Sequence, residues 1–390
     1  MATMDTLSQS PTDPDFVQNP YPFYARARAA GPLFHWADYG LPCTATHAAT
    51  NTILRDRRFG REPVDALPIP EHLKPFYEIE AHSMLELEPP RHTRLRSLVL
   101  RAFTSRRIKA LAPEVEALTH SLIDRFSAGP HDLLDSFCRP IPVIVIARLL
   151  GVPEAMAPDL LRLSNAMVKM YQAGRTSTDE AAAVQATEEF VAFLRGYIAQ
   201  RRASAEDDLI SHLIAAEEDG EKLSTDELIS TCILLLNAGH EATVHSLGNA
   251  IKLCLAHGHR PGAHPAPFIE EALRIDPPLH MFTRHAYETV EMHGHTFRRG
   301  DQVGLLLAAA NHDPAAYPDP EVFAPAREGP ANLSFGAGLH FCVGAPLARL
   351  EMQIALPILF ARRPQLRLAE APRYADIYHF HGLDRLMVAD

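Results

Sequence analysis

A single long helix constrains the fold of this chain more than any other feature of its sequence. Ser224 and Glu227 form a capping box at its start, and Leu223 and Leu228 are placed to form a hydrophobic staple around it. The helical pattern then continues to His257-Gly258, which gives a length of about 50 Å at 1.5 Å per residue. Because a helix this long crosses a whole domain, the chain is predicted to form a large, mainly α-helical fold.

Composition agrees with one large domain. The chain has 390 residues, of which 47% are hydrophobic, and no linker, charge block or repeat divides it. We therefore expect a single domain over residues 1–390, monomeric, with a flexible segment over residues 1–19. The polar N-terminus lacks a signal peptide or membrane span, which predicts a soluble cytoplasmic protein. The net charge of −11 argues against nucleic-acid binding.

Ten residues near the C-terminus, Phe335-Gly-Ala-Gly-Leu-His-Phe-Cys-Val-Gly344, describe a tight loop that presents one thiol. Its glycines permit close approach of a flat ligand, and Phe335 is placed to cover the face of that ligand. Pro346 indicates a following helix, so Cys342 is predicted at a helix N-terminus, where its pKa is lowered. The plainer interpretation is a buried free cysteine, since the five cysteines are scattered and form no CxxC pair.

The centre of the long helix carries Ala238-Gly-His-Glu-Ala-Thr243. An interior glycine costs about 1 kcal/mol relative to alanine, so Gly239 indicates that another group lies close to the backbone. A buried packing glycine is the alternative.

The cysteine loop closely resembles the haem-binding loop of the cytochrome P450 family, in which the cysteine thiolate is the proximal iron ligand. The resemblance extends from about Pro20 to the C-terminus. It implies the cytochrome P450 fold, a helical domain with small β-sheets around a buried haem b. It also implies that Cys342 binds the iron, with Phe335 and Gly344 against the cofactor.

The segment around Gly239 resembles the distal helix of that family, which carries an acid followed by a hydroxyl residue. Glu241 matches the acid, but Ala242 stands at the usual threonine position. Thr243 follows about 100° further round the helix. The resemblance makes these three the catalytic positions and leaves proton delivery to water, Glu241 or a substrate hydroxyl.

Two further sets of residues match the family. The resemblance assigns the haem propionates to His92, Arg96, Arg284 and His340, because arginine binds carboxylates through its planar fork. It assigns a structural role on the proximal side to Glu271 and Arg274, an ExxR pair on one helical face, and to Arg327.

The substrate pocket follows by alignment of motifs and is mostly apolar. Its expected walls are Leu234, Ala238, Leu279, Met281, Phe282, His379 and Phe380, with Ala242 beside them. Residues 67–84 and 167–174 are expected to form mobile access loops. Where relatives have another short helix, residues 257–268 are predicted to form a loop because they contain three prolines and two glycines.

No flavin or iron–sulfur motif is present, so the electrons should come from separate proteins. The family resemblance implies that these are a ferredoxin of the 2Fe-2S type and a ferredoxin reductase that uses NAD(P)H. Between Arg91 and Lys109 there are seven Lys or Arg and no acid, a patch suited to steering an acidic partner. A solvated helix face is the alternative.

These features predict a haem-thiolate monooxygenase that activates O2 and hydroxylates a hydrophobic small molecule. The loss of the threonine hydroxyl at Ala242 leaves open an enzyme that uses peroxide or reduces another small oxidant. A non-catalytic haem-thiolate sensor is the alternative from a different class.

Overall fold

A computed structural model describes residues 4–65, 68–172, 175–218 and 221–390 of the chain. Most of the described residues lie in helices or in the turns between them. The α-helices are α1 (Pro14–Gln18), α2 (Tyr21–Ala29), α3 (His47–Arg55), α4 (Lys74–Glu80), α5 (Arg91–Ala102), α6 (Ser105–Ala110), α7 (Ala112–Asp124), α8 (Pro140–Leu150), α9 (Ala157–Val168), α10 (Ser177–Ala203), α11 (Leu209–Ala215), α12 (Thr225–His257), α13 (Ala266–Ile275), α14 (Leu307–Asn311) and α15 (Ala345–Arg362).

The strands are short and lie mostly at the two ends of the chain. They are β1 (Thr6–Leu7), β2 (Phe34–Trp36), β3 (Leu41–Thr44), β4 (Phe59–Gly60), β5 (His131–Asp132), β6 (Glu217–Glu218), β7 (Glu221–Lys222), β8 (Met281–Ala286), β9 (Val290–Met292), β10 (His295–Phe297), β11 (Gln302–Leu306), β12 (Arg367–Leu368), β13 (Arg373–Tyr374), β14 (Leu383–Arg385) and β15 (Met387–Ala389). Single turns of 3-10 helix cover Glu71–Leu73, Glu154–Met156, Lys169–Tyr171 and Gly338–His340, and a π-helical turn covers Leu134–Cys138.

The predicted long helix is confirmed as α12. Ser224 and Glu227 form the capping box, with the Glu227 N–H donating to Ser224 Oγ at 3.1 Å and the Ser224 N–H donating to Glu227 Oε2 at 2.9 Å. Gly258 ends the helix in a left-handed conformation, with φ of 71°. Because α12 packs against α8, α9, α10, α13 and α15, it is the central element of the main hydrophobic core.

The largest sheet has the strand order β1-β2-β3-β11-β8-β4. Its strands β8 and β11 are antiparallel, with Arg284 opposite Val303 and Phe282 opposite Leu305. Since successive side chains of a strand point to opposite faces, Phe282 and Arg284 share one face and Met281 lies on the other. This alternation places β8 along one side of the functional site.

The expectation of a flexible N-terminal segment over residues 1–19 is wrong for residues 4–19. Strand β1 pairs with β2, and Phe16 in α1 is buried. The Phe16 ring lies 5.6 Å from that of Phe23 and 6.0 Å from that of Trp36. The polar composition of this segment predicts that it is unstructured, but burial of these aromatic rings holds it in place.

The loop predicted between the long helix and the ExxR helix is confirmed over residues 258–265, although Phe268 already belongs to α13. The expected access loops lie partly outside the described residues, which omit Leu67 and Gly174. Their described parts include helical turns, among them α4. None of the helices in the described ranges combines the length and apolarity that a membrane span requires.

Candidate functional site

The cysteine loop is held by backbone contacts on both sides. The Cys342 N–H donates to the Phe335 carbonyl at 3.1 Å, which closes the loop. Gly338 has a φ of 71°, and a Cβ at this position would lie 2.4 Å from the Leu54 carbonyl oxygen, so no other residue fits without a shift of α3. Helix α15 begins at Ala345, as the sequence predicted, with Cys342 just before its N-terminus.

The predicted lowering of the Cys342 pKa is wrong for the thiol in this structure. The residue is exposed, but the protein atoms around its sulfur remove enough water to raise the pKa. Hydrogen bonds from the N–H groups of Gly344 and Ala345 and the charges of Arg96 and Arg349 lower it by less. Two backbone N–H groups of the loop therefore donate to the sulfur, but desolvation has the larger effect and favours the protonated thiol.

The four predicted propionate residues come from distant parts of the chain, and three of them have contacts that link α5 to the cysteine loop. The rings of His92 and His340 lie 4.4 Å apart, and Arg96 donates to the Phe341 carbonyl at 2.6 Å. His340 Nε2 lies 2.8 Å from a carboxylate oxygen of Glu88. Burial lowers the pKa of His92 to about 4, helped by His340 and Arg96 and opposed by Glu88, so this imidazole is neutral at pH 7.

Arg284 is a buried cation on the face that β8 turns toward this site. Its guanidinium donates to the Thr283 carbonyl at 2.8 Å, and no carboxylate of the described residues forms a salt bridge with it. Burial lowers its pKa to about 9, with Arg61 adding to the effect. A buried guanidinium without a paired anion is costly, so this position favours a negatively charged ligand.

Sequence reasoning missed two members of this cluster. The guanidinium of Arg61 lies 5.7 Å from the centre of the Phe282 ring, and Glu88 accepts hydrogen bonds from both the Arg61 N–H and His340. Glu88 stands directly before the Pro89-Pro90 turn that opens α5, and this adjacency to a recognised motif was the available signal. Arg61 lies in an irregular segment that carries no pattern.

The predicted structural triad is assembled as expected. Arg274 binds both carboxylate oxygens of Glu271 at 2.7 and 2.8 Å, and Arg327 Nε donates to the same carboxylate at 3.2 Å. Burial opposes ionisation of Glu271, but the hydrogen bonds from Arg274, Ala324 N–H and Arg327 outweigh it and lower the pKa. Arg274 also donates to the Asn311 carbonyl at 2.8 Å, so the triad ties α13 to α14 and to the loop before the cysteine motif.

The centre of α12 exposes a small residue within a buried helix. Ala238 is exposed, whereas His240 and Thr243 are buried. Thr243 Oγ1 donates to the Gly239 carbonyl at 3.3 Å, so its hydroxyl satisfies the backbone of its own helix. A Cβ at Gly239 would meet Ile146 at 3.4 Å, which is ordinary contact, so that neighbour does not require a glycine.

Glu241 is the acidic residue at this point of the helix. One carboxylate oxygen lies 3.9 Å from His245 Nε2, and the other is buried without a hydrogen-bond partner in the described part of the chain. Ala242, at the next position, offers only a methyl group. The structure thus separates the acid from the hydroxyl of Thr243.

The expected pocket walls are partly brought together. Leu279 and Phe380 form an isolated β-bridge, and the His280 N–H donates to the His379 carbonyl at 3.4 Å. The remaining expected walls are Leu234, Ala238 and Ala242 on α12 and Phe282 on β8, none of them fully buried. Met281 was wrongly included: it is buried in a cluster with Phe34, Trp36, Cys43 and Leu306, on the opposite face of β8 from Phe282.

Comparisons with known proteins agree with this geometry. A family model described as Cytochrome P450 matches residues 267–362. The chain is 37% identical over 382 residues to the cytochrome P450 monooxygenase PikC of Streptomyces venezuelae, covering 92% of this chain and 87% of that protein. It is 34% identical over 400 residues to the biotin biosynthesis cytochrome P450 of Bacillus subtilis, covering 98% and 99%.

Solved structures match as closely. The structure of P450BioI in complex with an acyl carrier protein ligated to hexadec-9Z-enoic acid has a TM-score of 0.91 at 32% identity, covering 96% of this chain and 99% of that one. The bacillaene polyketide synthase cytochrome P450 PksS of Bacillus subtilis has a TM-score of 0.88 at 33% identity, covering 98% and 99%.

Fold and site together define a helical protein built around a loop that presents one cysteine to a cofactor. The chain belongs to the cytochrome P450 family and is a P450 monooxygenase, an enzyme that binds haem b and acts with O2 on a small molecule.

The residues present fit a haem. Its propionates are carboxylates, and the site holds the buried cation Arg284 and a buried His92 Nδ1 that has no partner in the described ranges. On the other side, the Cys342 sulfur is reached by two backbone N–H groups, as suits a thiolate. Arg284 and His92 would therefore hold the propionates, and Cys342 would bind the iron.

Proposed function

We propose that this chain hydroxylates a hydrophobic small molecule, with Cys342 as the ligand of the haem iron and Glu241 as the acid that supplies protons to the reaction. The observation that carries the proposal is the contrast among the five cysteines, all of which lie in described residues: Cys342 is exposed and the other four are buried. A structural cysteine has no reason to be the exposed one, whereas a metal ligand must be reachable. Haem bound at Cys342 supplies the activation of O2.

The chain's own residues then have separate tasks. Arg284, Arg96 and His92 hold the propionate edge, while the apolar wall around Ala238 and Phe380 receives the substrate and excludes water. Glu241 moves protons, since its free carboxylate oxygen is the polar atom that α12 offers beside Ala242.

We further propose that electrons come from a 2Fe-2S ferredoxin and its reductase in the cytoplasm. Support comes from the surface beside the cysteine loop, where Leu100 and Phe341 are exposed apolar side chains. A surface cavity of about 350 Å³ in this region is lined by Thr93, Arg96, Ser97, Leu100, Arg101 and Leu339. An apolar centre next to exposed cations suits an acidic electron-transfer protein.

The seven basic residues are not equivalent in this role. Arg94 forms an ion pair with Glu227, and Arg107 forms one with Asp207, so the charges of these two are partly balanced within the chain. Arg101, Arg106 and Lys109 are exposed. We define Leu100, Arg101, Arg106, Lys109 and Phe341 as the docking patch.

The test is single-oxygen incorporation. The purified enzyme is screened for compounds that shift its ferric Soret band, and the best binder is then turned over with ferredoxin, reductase, NAD(P)H and isotopically labelled O2. We expect one labelled oxygen atom in the product. Product that forms only when peroxide is supplied would replace the proposal with the peroxide-using alternative, which the methyl group of Ala242 favours.

A further inference from the structure

One face of α12 carries polar side chains on successive turns, from the centre of the helix toward its C-terminal end. They are Glu241, His245, Asn249 and Lys252, spaced four, four and three residues apart. Residues at these spacings lie above one another on a helix. The Lys252 side chain is 20% exposed, so the row leads from Glu241 at the active site to the solvent.

The residues outside α12 that contact this row are also polar. Asp276, just after α13, accepts hydrogen bonds from Lys252 Nζ at 2.7 Å and from Tyr374 OH at 2.6 Å. Asn249 Nδ2 donates to the His381 carbonyl at 2.9 Å, and the His381 ring stacks on that of Tyr374 at 3.7 Å. His381 Nε2 lies 3.8 Å from the second oxygen of Asp276.

His245 stands between the two ends of the row. Its ring lies directly on the backbone of Gly382, where a Cβ would come within 1.7 Å of Nδ1. The titratable groups that face it are Glu241 and His240 on its own helix and His381 across the row, with Asp276 behind His381. Its Nε2 points toward Glu241 and its Nδ1 toward the turn that carries His381.

Many polar atoms of this row have no hydrogen-bond partner in the ranges that the structure describes. They are Glu241 Oε2, His245 Nδ1, Asn249 Oδ1, Asp276 Oδ1, His381 Nε2 and, beside His381, His280 Nε2. A buried polar group without a hydrogen bond is costly, and proteins satisfy such groups with ordered water. We therefore expect ordered water to satisfy these atoms.

We propose that this polar row is a proton path that refills Glu241, with His245 as the relay. A proton from the Lys252 and Asp276 end reaches His245 Nδ1 through water, and His245 releases the proton on Nε2 to the Glu241 carboxylate. The imidazole is then neutral with its proton on Nδ1, so the ring must rotate and bring a protonated nitrogen back to the Glu241 side before the next transfer. The proposal rests on the function proposed for Glu241 and assigns His245 as a positioning residue that acts through it.

The first test does not involve turnover. A high-resolution crystal structure of the haem-loaded protein should show ordered waters within hydrogen-bond distance of His245 Nδ1 and of the Asp276 and His381 pair. His245→Phe should lose the water at Nδ1. If no ordered water lies at these side chains, or if they form hydrogen bonds directly to one another, the proposal is wrong.

The second test measures proton supply with the ferredoxin system. His245→Gln keeps a polar side chain that cannot carry a proton, so we expect turnover to fall about 10-fold or more and its solvent deuterium isotope effect to rise. Haem content, the substrate-induced Soret shift and the first reduction step should be unchanged. His257→Gln, at an exposed histidine of the same helix, is the matched control and should match the wild type.

Double variants separate the two proposals. If Glu241→Ala leaves a low but measurable turnover and His245→Gln lowers it no further in that background, the relay acts through Glu241 as proposed. If Glu241→Ala is impaired while His245→Gln and Asp276→Asn both keep wild-type turnover and isotope effect, the relay is wrong and the role of Glu241 stands. If Glu241→Ala itself is fully active, the role of Glu241 fails and the relay fails with it.

Discussion

The thiol of Cys342 has a raised pKa although two backbone N–H groups at the start of α15 reach its sulfur. Desolvation is the larger effect, so position at a helix N-terminus does not by itself ionise this group. A metal ion deprotonates a coordinating thiol outright. If Cys342 binds the haem iron as proposed, its ionisation would accompany binding of the cofactor, and the two N–H groups would stabilise the charge on the sulfur.

This assignment predicts the spectrum of the protein. The reduced enzyme with carbon monoxide should show the long-wavelength Soret band typical of thiolate ligation, and Cys342→Ser and Cys342→His should lose it. Cys254→Ser, at a buried cysteine, is the matched control and should keep the band. A Cys342→Ala variant that retains the band would mean that another residue is the ligand.

Glu241 and Ala242 make a second prediction at the residue scale. Glu241→Ala should cut oxygenase turnover about 100-fold or more, the usual scale for losing a positioned proton donor. Ala242→Thr should change the product formed per NAD(P)H consumed, upward if water is the weak relay and downward if the hydroxyl displaces a substrate group. Full activity in the first variant together with unchanged coupling in the second would show that protons arrive by another route.

At the scale of elements, α15 contains a carboxyl group on its apolar face. Glu351 lies between Leu347 and Ala355 on successive turns, and all three are buried. Neither of its carboxylate oxygens has a hydrogen-bond partner among the described residues, and burial raises its pKa well above the ordinary value. The protonated form is therefore the one that the fold tolerates.

The sign of the resulting pH dependence follows from linkage. Because the folded pKa is raised, the stability from protonated Glu351 is fully present below the unfolded pKa, about 4.3, and is lost as pH rises toward the folded pKa. Gln does not titrate, so Glu351→Gln should not lose this stability. As pH rises through that window, its unfolding free energy should increase relative to that of the wild type by about 1.4 kcal/mol per pH unit. Urea denaturation of both proteins at pH 5 and pH 8 measures this, and an equal difference at the two pH values would contradict it.

Local sequence signals predicted some elements well and others poorly. The capping box at Ser224 and the glycine after His257 determined α12 because caps act within one turn. The prediction of a flexible N-terminal segment was wrong because Phe16 packs against aromatic rings of other elements. The assignment of Met281 to the pocket wall was wrong because a motif alignment does not specify which face of a strand lines the pocket.

For the whole molecule, motifs in the expected order were enough to predict the fold and much of the site. Glu271, Arg274 and Arg327 meet as expected, and His92 meets His340, since each lies in a recognisable motif. Residues outside motifs were missed. The polar row on α12 needs Asp276 and His381 to be complete, and only the tertiary fold brings these two to the same helix face.

The docking patch makes the final prediction, because it concerns how the surface charge of an acidic molecule is distributed. The net charge is −11, which repels an acidic partner, while the patch presents exposed cations around Leu100 and Phe341. Electrostatic steering by such a patch raises the association rate and weakens with salt, since the Debye length falls to about 10 Å at 0.1 M. The effect should therefore appear in association and leave the intrinsic electron-transfer step unchanged.

Charge reversal tests this directly. Arg101→Glu and Arg106→Glu should each slow reduction of the enzyme by ferredoxin about 10-fold at low salt, through the second-order rate constant measured by stopped flow. Rising ionic strength should slow the wild type toward the rate of the two variants. It should affect the variants less, because they have already lost part of the electrostatic attraction that salt screens. Arg299→Glu, an exposed arginine in the turn between β10 and β11, makes the same change in net charge and should leave the rate near that of the wild type. Equal slowing by Arg299→Glu would assign the effect to net charge, and a wild-type rate indifferent to salt would rule out steering by the patch.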